Sequence, residues 1–200
     1  MATLESIIAD VTDILDRPDL VPVYRKAARN IVYDAHAVAD FSKDLKQTAK
    51  VTAEENTTIA LPIDFRKLQT VLAYEEDGLY PLGISYKKKT VQPYVDYYGF
   101  QDNLFMYYLS GGNITVQHNP SAIPSKVSLA YYAYPTVTTA GDSTVSTDSW
   151  MLSGCGEGYL RSKFAELIYA RTGNIQMINV AKADVQAALG YLLAADMDGI

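Results

Sequence analysis

The sequence has little of what catalytic and metal sites are usually built from. Its 200 residues include one cysteine and two histidines, so no internal disulfide can form and a zinc site would lack its usual ligands. The formal net charge of −6 argues against a nucleic-acid reader that grips phosphates through Lys and Arg. Charged residues interrupt the apolar stretches every few positions, and the N-terminus carries Glu5 and Asp10 rather than a basic region. We therefore expect neither a signal peptide nor a membrane span.

What the chain does have is apolar content and tyrosine. Hydrophobic residues make up 48% of the sequence, which is enough to form one compact domain or two small lobes. Tyrosine occurs 16 times, against 5 Phe and 1 Trp. Such an excess suits surfaces that are half buried and half hydrated, as at interfaces between proteins.

Apolar residues recur at helical spacing towards both ends of the chain. Thr3 is placed to cap a first helix, and Pro22 suits the first turn of a second helix that runs to about Phe41. A third helix follows a cap at Ser149 or Ser153, and an alanine-rich fourth helix follows a stop near residues 172–174. The stripes of the first and fourth helices are Leu4, Ile7, Ile8, Val11, Ile14 and Leu15, and Ile178, Ala181, Val185, Leu189 and Leu192.

The middle of the chain alternates as strands do. Residues 46–52 and 57–61 are predicted to form a hairpin around the polar loop 53–56. Residues 104–109 and 113–118 flank Ser110-Gly111-Gly112, a hairpin signal, and residues 126–134 are predicted as the third strand of that meander. Residues 92–100 are interpreted as a loop or short helix. The Thr- and Ser-rich tract 136–148 is predicted to be an exposed linker.

This order predicts an α+β fold. Helices from the N- and C-terminal parts would form a small helical bundle, with an antiparallel β lobe inserted between them. We predict a helical part at residues 1–42 and 149–200, and a β lobe with a hairpin arm at residues 43–148.

The candidate chemistry is weak at each place where it can be sought. Cys155 lies among the glycines of residues 154–158, and His36 or His118 could serve it as a base. The spacing matches no nucleophile signature, however, and a cysteine among glycines at a helix start is more often a packing residue. The glycines also lack the Lys-Ser/Thr pair of a phosphate loop. We predict no catalytic, metal-binding or cofactor-binding residue. A small hydrolase that uses Cys155 is kept as the third hypothesis, after the two given below.

Contact with other macromolecules is the better use for the remaining features. The basic run at residues 87–89 could touch phosphate or an acidic protein, or it could be a solvated run on a sheet edge. The tyrosine clusters could stack on sugars or anchor an interface. The predicted partner-binding residues are Lys87, Lys88, Lys89, Tyr97, Tyr98, Tyr107, Tyr108, Tyr131, Tyr132, Leu189 and Leu192.

Taken together, the order of features resembles the head-to-tail adaptor proteins of tailed bacteriophages. The likeness starts with the N-terminal helical pair and Leu61-Pro62-Ile63-Asp64-Phe65, which opens the β region. It continues through the arm at residues 114–120, which ends in Asn-Pro, and through Tyr131-Tyr132-Ala133-Tyr134-Pro135 to a polar tract and two closing helices. The resemblance covers about residues 4–193, and the co-linear order of these parts carries it.

The resemblance implies a structural protein of the virion neck that assembles in the host cytoplasm. It implies a homo-oligomeric ring, expected to be a dodecamer, beneath the portal of the capsid. The helical part would dock to the portal protein, and the β part would meet tail or nozzle proteins. Double-stranded DNA would pass through the centre during ejection without sequence-specific binding, which the acidic balance suits. The main alternative, suggested by the tyrosine clusters, is a tail-associated module that binds carbohydrate or a receptor.

Overall fold

The residues that can be described are 2–76, 78–88, 105–140 and 144–197 of a computed structural model. They form four α-helices and eleven β-strands, and the fold is α+β, as predicted. The helices are α1 (Leu4–Ile14), α2 (Val21–Ala37), α3 (Gly154–Thr172) and α4 (Ile175–Met197). The chain divides into two compact units, a helical unit (Met1–Asp44 with Tyr134–Ile200) and a β unit (Leu45–Ala133).

The first two helices begin where the sequence predicts. The Thr3 hydroxyl accepts the Ser6 N–H at 3.0 Å and the Ser6 hydroxyl accepts the Thr3 N–H at 3.0 Å, which is a reciprocal capping box. Pro22 lies in the first turn of α2, where its missing N–H costs no helical hydrogen bond. The predicted stripe of α1 is buried at Leu4, Ile7, Ile8 and Val11, whereas Ile14 is 77% exposed. The apolar face of α2 is buried at Ala28, Ile31, Val32 and Ala35. Both helices therefore turn one apolar face to the core.

Helix α3 is in contact with each of the other three helices. It ends at Gly173, whose φ of 71° is left-handed and is accessible to glycine without steric cost. Its buried face consists of Tyr159, Leu160, Phe164 and Ile168. The Phe164 ring meets the Tyr24 ring edge-on, with centroids 6.2 Å apart. The helical core is therefore built around α3.

The prediction of an exposed linker at residues 136–148 is wrong. Val137–Ala140 (β10) and Thr144–Thr147 (β11) pair as antiparallel strands, and β11 contacts α1 and α2. Val145 is 4% exposed and belongs to the helical core, and its N–H donates to the Glu5 carboxylate at 3.3 Å. The polar composition concealed this hairpin because a strand that buries only alternate side chains can be mostly Thr and Ser.

The strands of the β unit form two sheets. The first contains β1 (Leu45–Gln47), β2 (Val51–Thr52), β4 (Phe65–Tyr74), β5 (Pro81–Leu82) and β9 (Lys126–Ala133). Its order is β1-β9-β4-β5, with β2 also paired to β9. The second contains β3 (Asn56–Ala60), β6 (Lys87–Lys88), β7 (Met106–Ser110) and β8 (Asn113–Gln117) in the order β3-β8-β7-β6. Only the β6–β7 pair is parallel among the described pairs.

The hairpin of β7 and β8 is confirmed, whereas two other predicted pairings are wrong. Ser110 lies opposite Asn113, and Gly111 and Gly112 take the positive φ angles of 54° and 85° that such a turn requires. Residues 57–61 do not fold back on 46–52, because β3 pairs with β8 while β1 and β2 pair with β9. Nor is β9 the third strand of the β7–β8 meander. Six of its eight residues are buried, and it lies between β1 and β4 at the centre of the first sheet.

Side chains from both sheets share one core, which includes Ile59, Val71, Ile114, Val127 and Leu129. The predicted loop at residues 92–100 lies outside the described residues. The sequence also favours a turn at Asp77-Gly78; Asp77 lies outside the described residues, Gly78 has a φ of 64°, and Tyr74 pairs with Pro81. Within the described ranges, no helix has the length and apolarity needed to cross a membrane.

Candidate functional site

A buried cluster of polar side chains, called the His36 cluster below, ties the end of α2 to two later segments. The Nδ1 of His36 lies 2.8 and 2.9 Å from the two carboxylate oxygens of Asp44, and its Nε2 lies 2.6 Å from the Oγ of Ser149. The Nε1–H of Trp150 donates to Asp44 at 2.7 Å, and the N–H of Met151 donates to Ser149 Oγ at 3.1 Å. His36 is 1% exposed, and Asp44 and Ser149 are each 5% exposed.

The connectivity of Asp44, His36 and Ser149 is that of a hydrolytic triad, but its environment is not. A nucleophilic hydroxyl must reach its substrate, whereas Ser149 is almost wholly buried. Its Oγ accepts the Met151 N–H and so caps the short turn Trp150–Leu152. Each polar atom of the four side chains is thus engaged inside the unit. The His36 cluster fastens three chain segments together rather than exposing a reactive group.

The sequence interpretation missed this cluster. The sequence suggests His36 only as a possible base for Cys155 and does not connect it with Asp44 or Ser149, which are 8 and 113 positions away. A histidine at the edge of a buried helix face does signal that a polar partner must exist, because a buried imidazole without hydrogen bonds is costly. The identity of the partner depends on which distant segments pack there.

Cys155 is exposed at the start of α3. A cavity of about 260 Å³ opens there, and its lining includes Lys43, Trp150, Cys155 and Asp196. Both ring nitrogens of His36 are taken by Asp44 and Ser149, and His118 turns its Nδ1 to the Glu54 carbonyl at 2.5 Å. His36 is therefore not available to the thiol as a base. Among the described residues, no group of three or more His, Cys, Asp or Glu side chains is placed to hold a metal ion.

The start of α3 also packs tightly enough to require a glycine. A Cβ added to Gly156 would lie 2.5 Å from the Cα of Met151, closer than real Cβ contacts allow, whereas one added to Gly158 would meet nothing within 4 Å. The glycine of this segment that packing requires is therefore Gly156, which lies directly against the backbone of Met151.

The Leu61-Pro62-Ile63-Asp64-Phe65 motif forms a corner that is held by charged hydrogen bonds. The N–H of Phe65 donates to the Pro62 carbonyl at 3.0 Å. Asp64 accepts from Lys46 Nζ at 2.8 Å and from the Tyr131 hydroxyl at 3.0 Å. Partial burial acts to raise the pKa of Asp64, but these two hydrogen bonds outweigh it and the pKa is lowered. The corner is thereby joined to β1 and β9.

The predicted contact residues of the second sheet lie at its edge and half within it. Lys87 and Lys88 are exposed on β6, which is an edge strand. Tyr107 and Tyr108 on β7 are half-buried. Three further predicted residues, Lys89, Tyr97 and Tyr98, lie outside the described residues. Binding of partners by these residues stays a prediction.

The remaining predicted contact residues have roles within the chain. Burial raises the pKa of Tyr131 to about 12, with the Asp64 contact acting in the same direction, and the side chain is 5% exposed. Tyr132 lies under the Arg66 guanidinium, 5.3 Å from its ring centroid. Leu192 is 1% exposed in the helical core and Leu189 is half-buried against it. Their side chains are therefore largely occupied within one subunit, and a role in sugar or partner binding stays a prediction.

A family model described as SU10 adaptor protein matches residues 2–199. The chain belongs to the SU10 adaptor protein family. This is a phage head-to-tail adaptor family, so the resemblance drawn from the order of sequence features is confirmed. Membership indicates a structural protein of the phage, located at the virion neck. A search of curated proteins gives no match.

As an adaptor, the protein needs surfaces for other virion proteins, and its helical unit has two apolar candidates. Along α4, the large apolar residues that are exposed are Ile175 (74%), Val180 (52%), Tyr191 (72%), Leu193 (37%) and Met197 (88%). A groove of about 270 Å³ lies between α1, α3 and α4, and its apolar lining includes Val11, Ile14, Leu15, Ala165 and Tyr169. The groove rim carries Arg161, which forms ion pairs with Asp10 and Glu157.

Proposed function

We propose that this protein is the subunit of a head-to-tail adaptor ring that joins the portal to the tail. The observation that supports the proposal is the family match across residues 2–199, which leaves one residue unmatched at each end. The subunits assemble in the host cytoplasm into a homo-oligomeric ring, a dodecamer, beneath the portal. The ring then forms part of the channel through which double-stranded DNA leaves the capsid.

The two parts of the chain take different partners in this proposal. The helical unit docks on the portal protein, and the β unit meets the tail or nozzle protein. Residues 134–148, which the sequence assigns to the β lobe, go with the helical unit because Val145 packs in its core. The presence of a separate hydrophobic core in each unit supports this division. A unit with its own core keeps its binding surface intact while the other unit is bound.

The charge distribution suits a channel that DNA passes without being held. The helical unit contains nine Lys and Arg against fifteen Asp and Glu, for a net charge of −6, whereas the β unit contains eight of each and is neutral. An acidic wall repels phosphates at long range and offers few cations that could displace their counterions. We propose that part of the acidic helical unit faces the lumen of the ring.

The experiment is a native mass measurement of the purified protein alone and after mixing with portal rings of the same phage. We expect the protein to bind the portal at a fixed stoichiometry that saturates, and averaged electron micrographs should show added density beneath the portal. Portal rings from an unrelated phage are the control and should bind little. DNA retardation at physiological salt should be negligible.

A protein that stays monomeric and ignores its own portal would contradict the adaptor ring. Portal binding without saturation, or equal binding to the unrelated portal, would also count against it. Strong retention of duplex DNA by the assembled ring would contradict the proposed passive channel while leaving portal binding intact.

A further inference from the structure

The outer face of α4 is an apolar ridge. Along it, residues recur at alternating spacings of three and four, which places them on one stripe of the helix. They are Val180, Ala183, Ala187, Gly190, Ala194 and Met197, and all six are exposed. The inner face, with Ala181, Val185 and Leu192, is buried against the helical unit. A helix that is apolar on both sides buries its second face as well when it has a partner.

The ridge stands out because the unit around it is acidic. The only charged residues of α4 are Lys182, Asp184 and Asp196, and at 100° per residue none of them falls on the stripe. The unit as a whole carries −6, so two copies repel each other over most of their surfaces. An uncharged face is therefore where a second copy of this unit can approach at least electrostatic cost.

The same unit also carries a concave apolar surface, the groove between α1, α3 and α4. Ile14 at the end of α1 lines it and is 77% exposed. The residues of α4 that line the groove are Ala181 and Asp184, and neither belongs to the ridge. The groove and the ridge are thus different patches. A ring requires such a pair, because each subunit must present one patch to the neighbour before it and another to the neighbour after it.

We infer that the α4 ridge of one subunit packs into the groove between α1, α3 and α4 of the next copy of this chain. This inference rests on the ring of the proposed function and identifies its subunit contact. The small residues at the middle of the ridge allow helix axes to approach to about 8 Å, the short end of the range for packed helices. Val180 and Met197 provide larger contacts towards its two ends.

The dimensions are adequate for a subunit interface. The ridge runs from Val180 to Met197, so it is about 27 Å long and, at a helix width of about 10 Å, projects on the order of 270 Å². Exposed apolar patches of a few hundred Å² mark interaction sites. A stable interface takes about 800 Å² from each partner, so the ridge and its flanks, including Tyr191, would make up a large part of it.

The test uses two variants that each destroy one patch. Ala187→Glu places a charge on the ridge and Ile14→Asp places one in the groove, both at exposed positions. Ala37→Glu, at the exposed last position of α2, is the matched control. Melting temperatures equal to that of the wild type would show that all three variants fold. If Ala187→Glu has a lower melting temperature, Ala183→Glu is used as a second ridge variant. Native mass is measured for the free proteins and on portal rings.

We expect the wild type and Ala37→Glu to assemble alike, and each patch variant to stay at the 22.0 kDa monomer mass. An equimolar mixture of Ala187→Glu and Ile14→Asp should give a species of twice that mass and stop there. In this mixture only the Ile14→Asp subunit has an intact ridge and only the Ala187→Glu subunit has an intact groove. One such contact can therefore form between the two variants, and no third subunit can be added.

Other outcomes would overturn the inference. Assembly of both patch variants like the control would place the subunit contact elsewhere. Loss of assembly in Ala187→Glu alone, with no dimer in the mixture, would indicate a symmetric α4–α4 contact. A wild type that is monomeric both free and on the portal would exclude the interface altogether. A wild type that self-assembles but ignores the portal would instead contradict the proposed function and leave this contact standing.

Discussion

Replacing Asp44 by alanine should destabilise the helical unit strongly, because its carboxylate is the acceptor at the centre of the His36 cluster. Two N–H groups point at it, from His36 Nδ1 at 2.8 Å and from Trp150 Nε1 at 2.7 Å. The side chain that replaces it has no acceptor. His36 is 1% exposed, so water cannot take the place of the lost carboxylate there.

The size of the effect follows from what is left behind. A buried donor without a partner costs about 1–3 kcal/mol, and that applies to His36. Trp150 is only half-buried, so loss of its hydrogen bond should cost about 0.5–1.5 kcal/mol, the net value of a typical hydrogen bond. Together these give a loss of about 1.5–4.5 kcal/mol in the free energy of unfolding, a large share of the roughly 5–15 kcal/mol of a typical domain.

The protein carries its own probe for this measurement. Trp150 is the single tryptophan and belongs to the cluster, so its fluorescence follows the unfolding of the helical unit. Urea titrations of the wild type and Asp44→Ala give the free energies of unfolding and the m-values. Asp34→Ala removes an exposed carboxylate from α2 and is the matched control, expected within about 0.5 kcal/mol of the wild type.

If Asp44→Ala proved as stable as Asp34→Ala, the hydrogen bonds of the His36 cluster would not stabilise the helical unit. A changed m-value would mean instead that the variant alters the compactness of one of the two states. The free energy could then not be assigned to lost hydrogen bonds.

Three further predictions test other parts of the fold. Burial lowers the pKa of His118, so the unfolded state binds a proton at a higher pH than the folded state does. The free energy of unfolding should therefore fall as the pH drops below about 6.5. His118→Asn should flatten this pH dependence in unfolding curves followed by circular dichroism. Gly156→Ala should cost about 1–3 kcal/mol by overpacking, whereas Gly158→Ala, in open space on the same helix, should gain about 0.5–1 kcal/mol, both measured by tryptophan fluorescence. Leu192→Ala should cost about 2–5 kcal/mol and the exposed Leu193→Ala less than about 1 kcal/mol in the same assay; equal costs would mean that the buried face of α4 is wrongly assigned.

The helices could be predicted from the sequence because their signals are local. The cap at Thr3, the proline at Pro22 and the stop at Gly173 act on hydrogen bonds that span only a few residues. The apolar period of α1, α2 and α4 likewise appears within each segment. The β7–β8 hairpin belongs to the same class, since Gly111 and Gly112 meet its turn requirement within the turn itself.

Strand partners and the buried cluster could not be found in this way. Asn56 pairs with Gln117 across 61 positions, and His36 meets Ser149 across 113. Such pairs form when whole elements pack, and no short pattern specifies which elements do so. The β10–β11 hairpin escaped for a related reason, because its strand character depends on Val145 entering a core assembled from distant helices.

The candidate contact surfaces show the same division. Composition and the order of elements were sufficient to indicate an adaptor, because that assignment depends on the sequence along the chain. Exposure does not follow from residue type: Tyr131 and Leu192 were predicted as contacts and are buried, while Ala187 and Gly190 on the outer face of α4 were not singled out and are exposed. Which side of an apolar helix remains uncovered is set by the neighbours that pack on its other side, and those neighbours come together only in the folded chain.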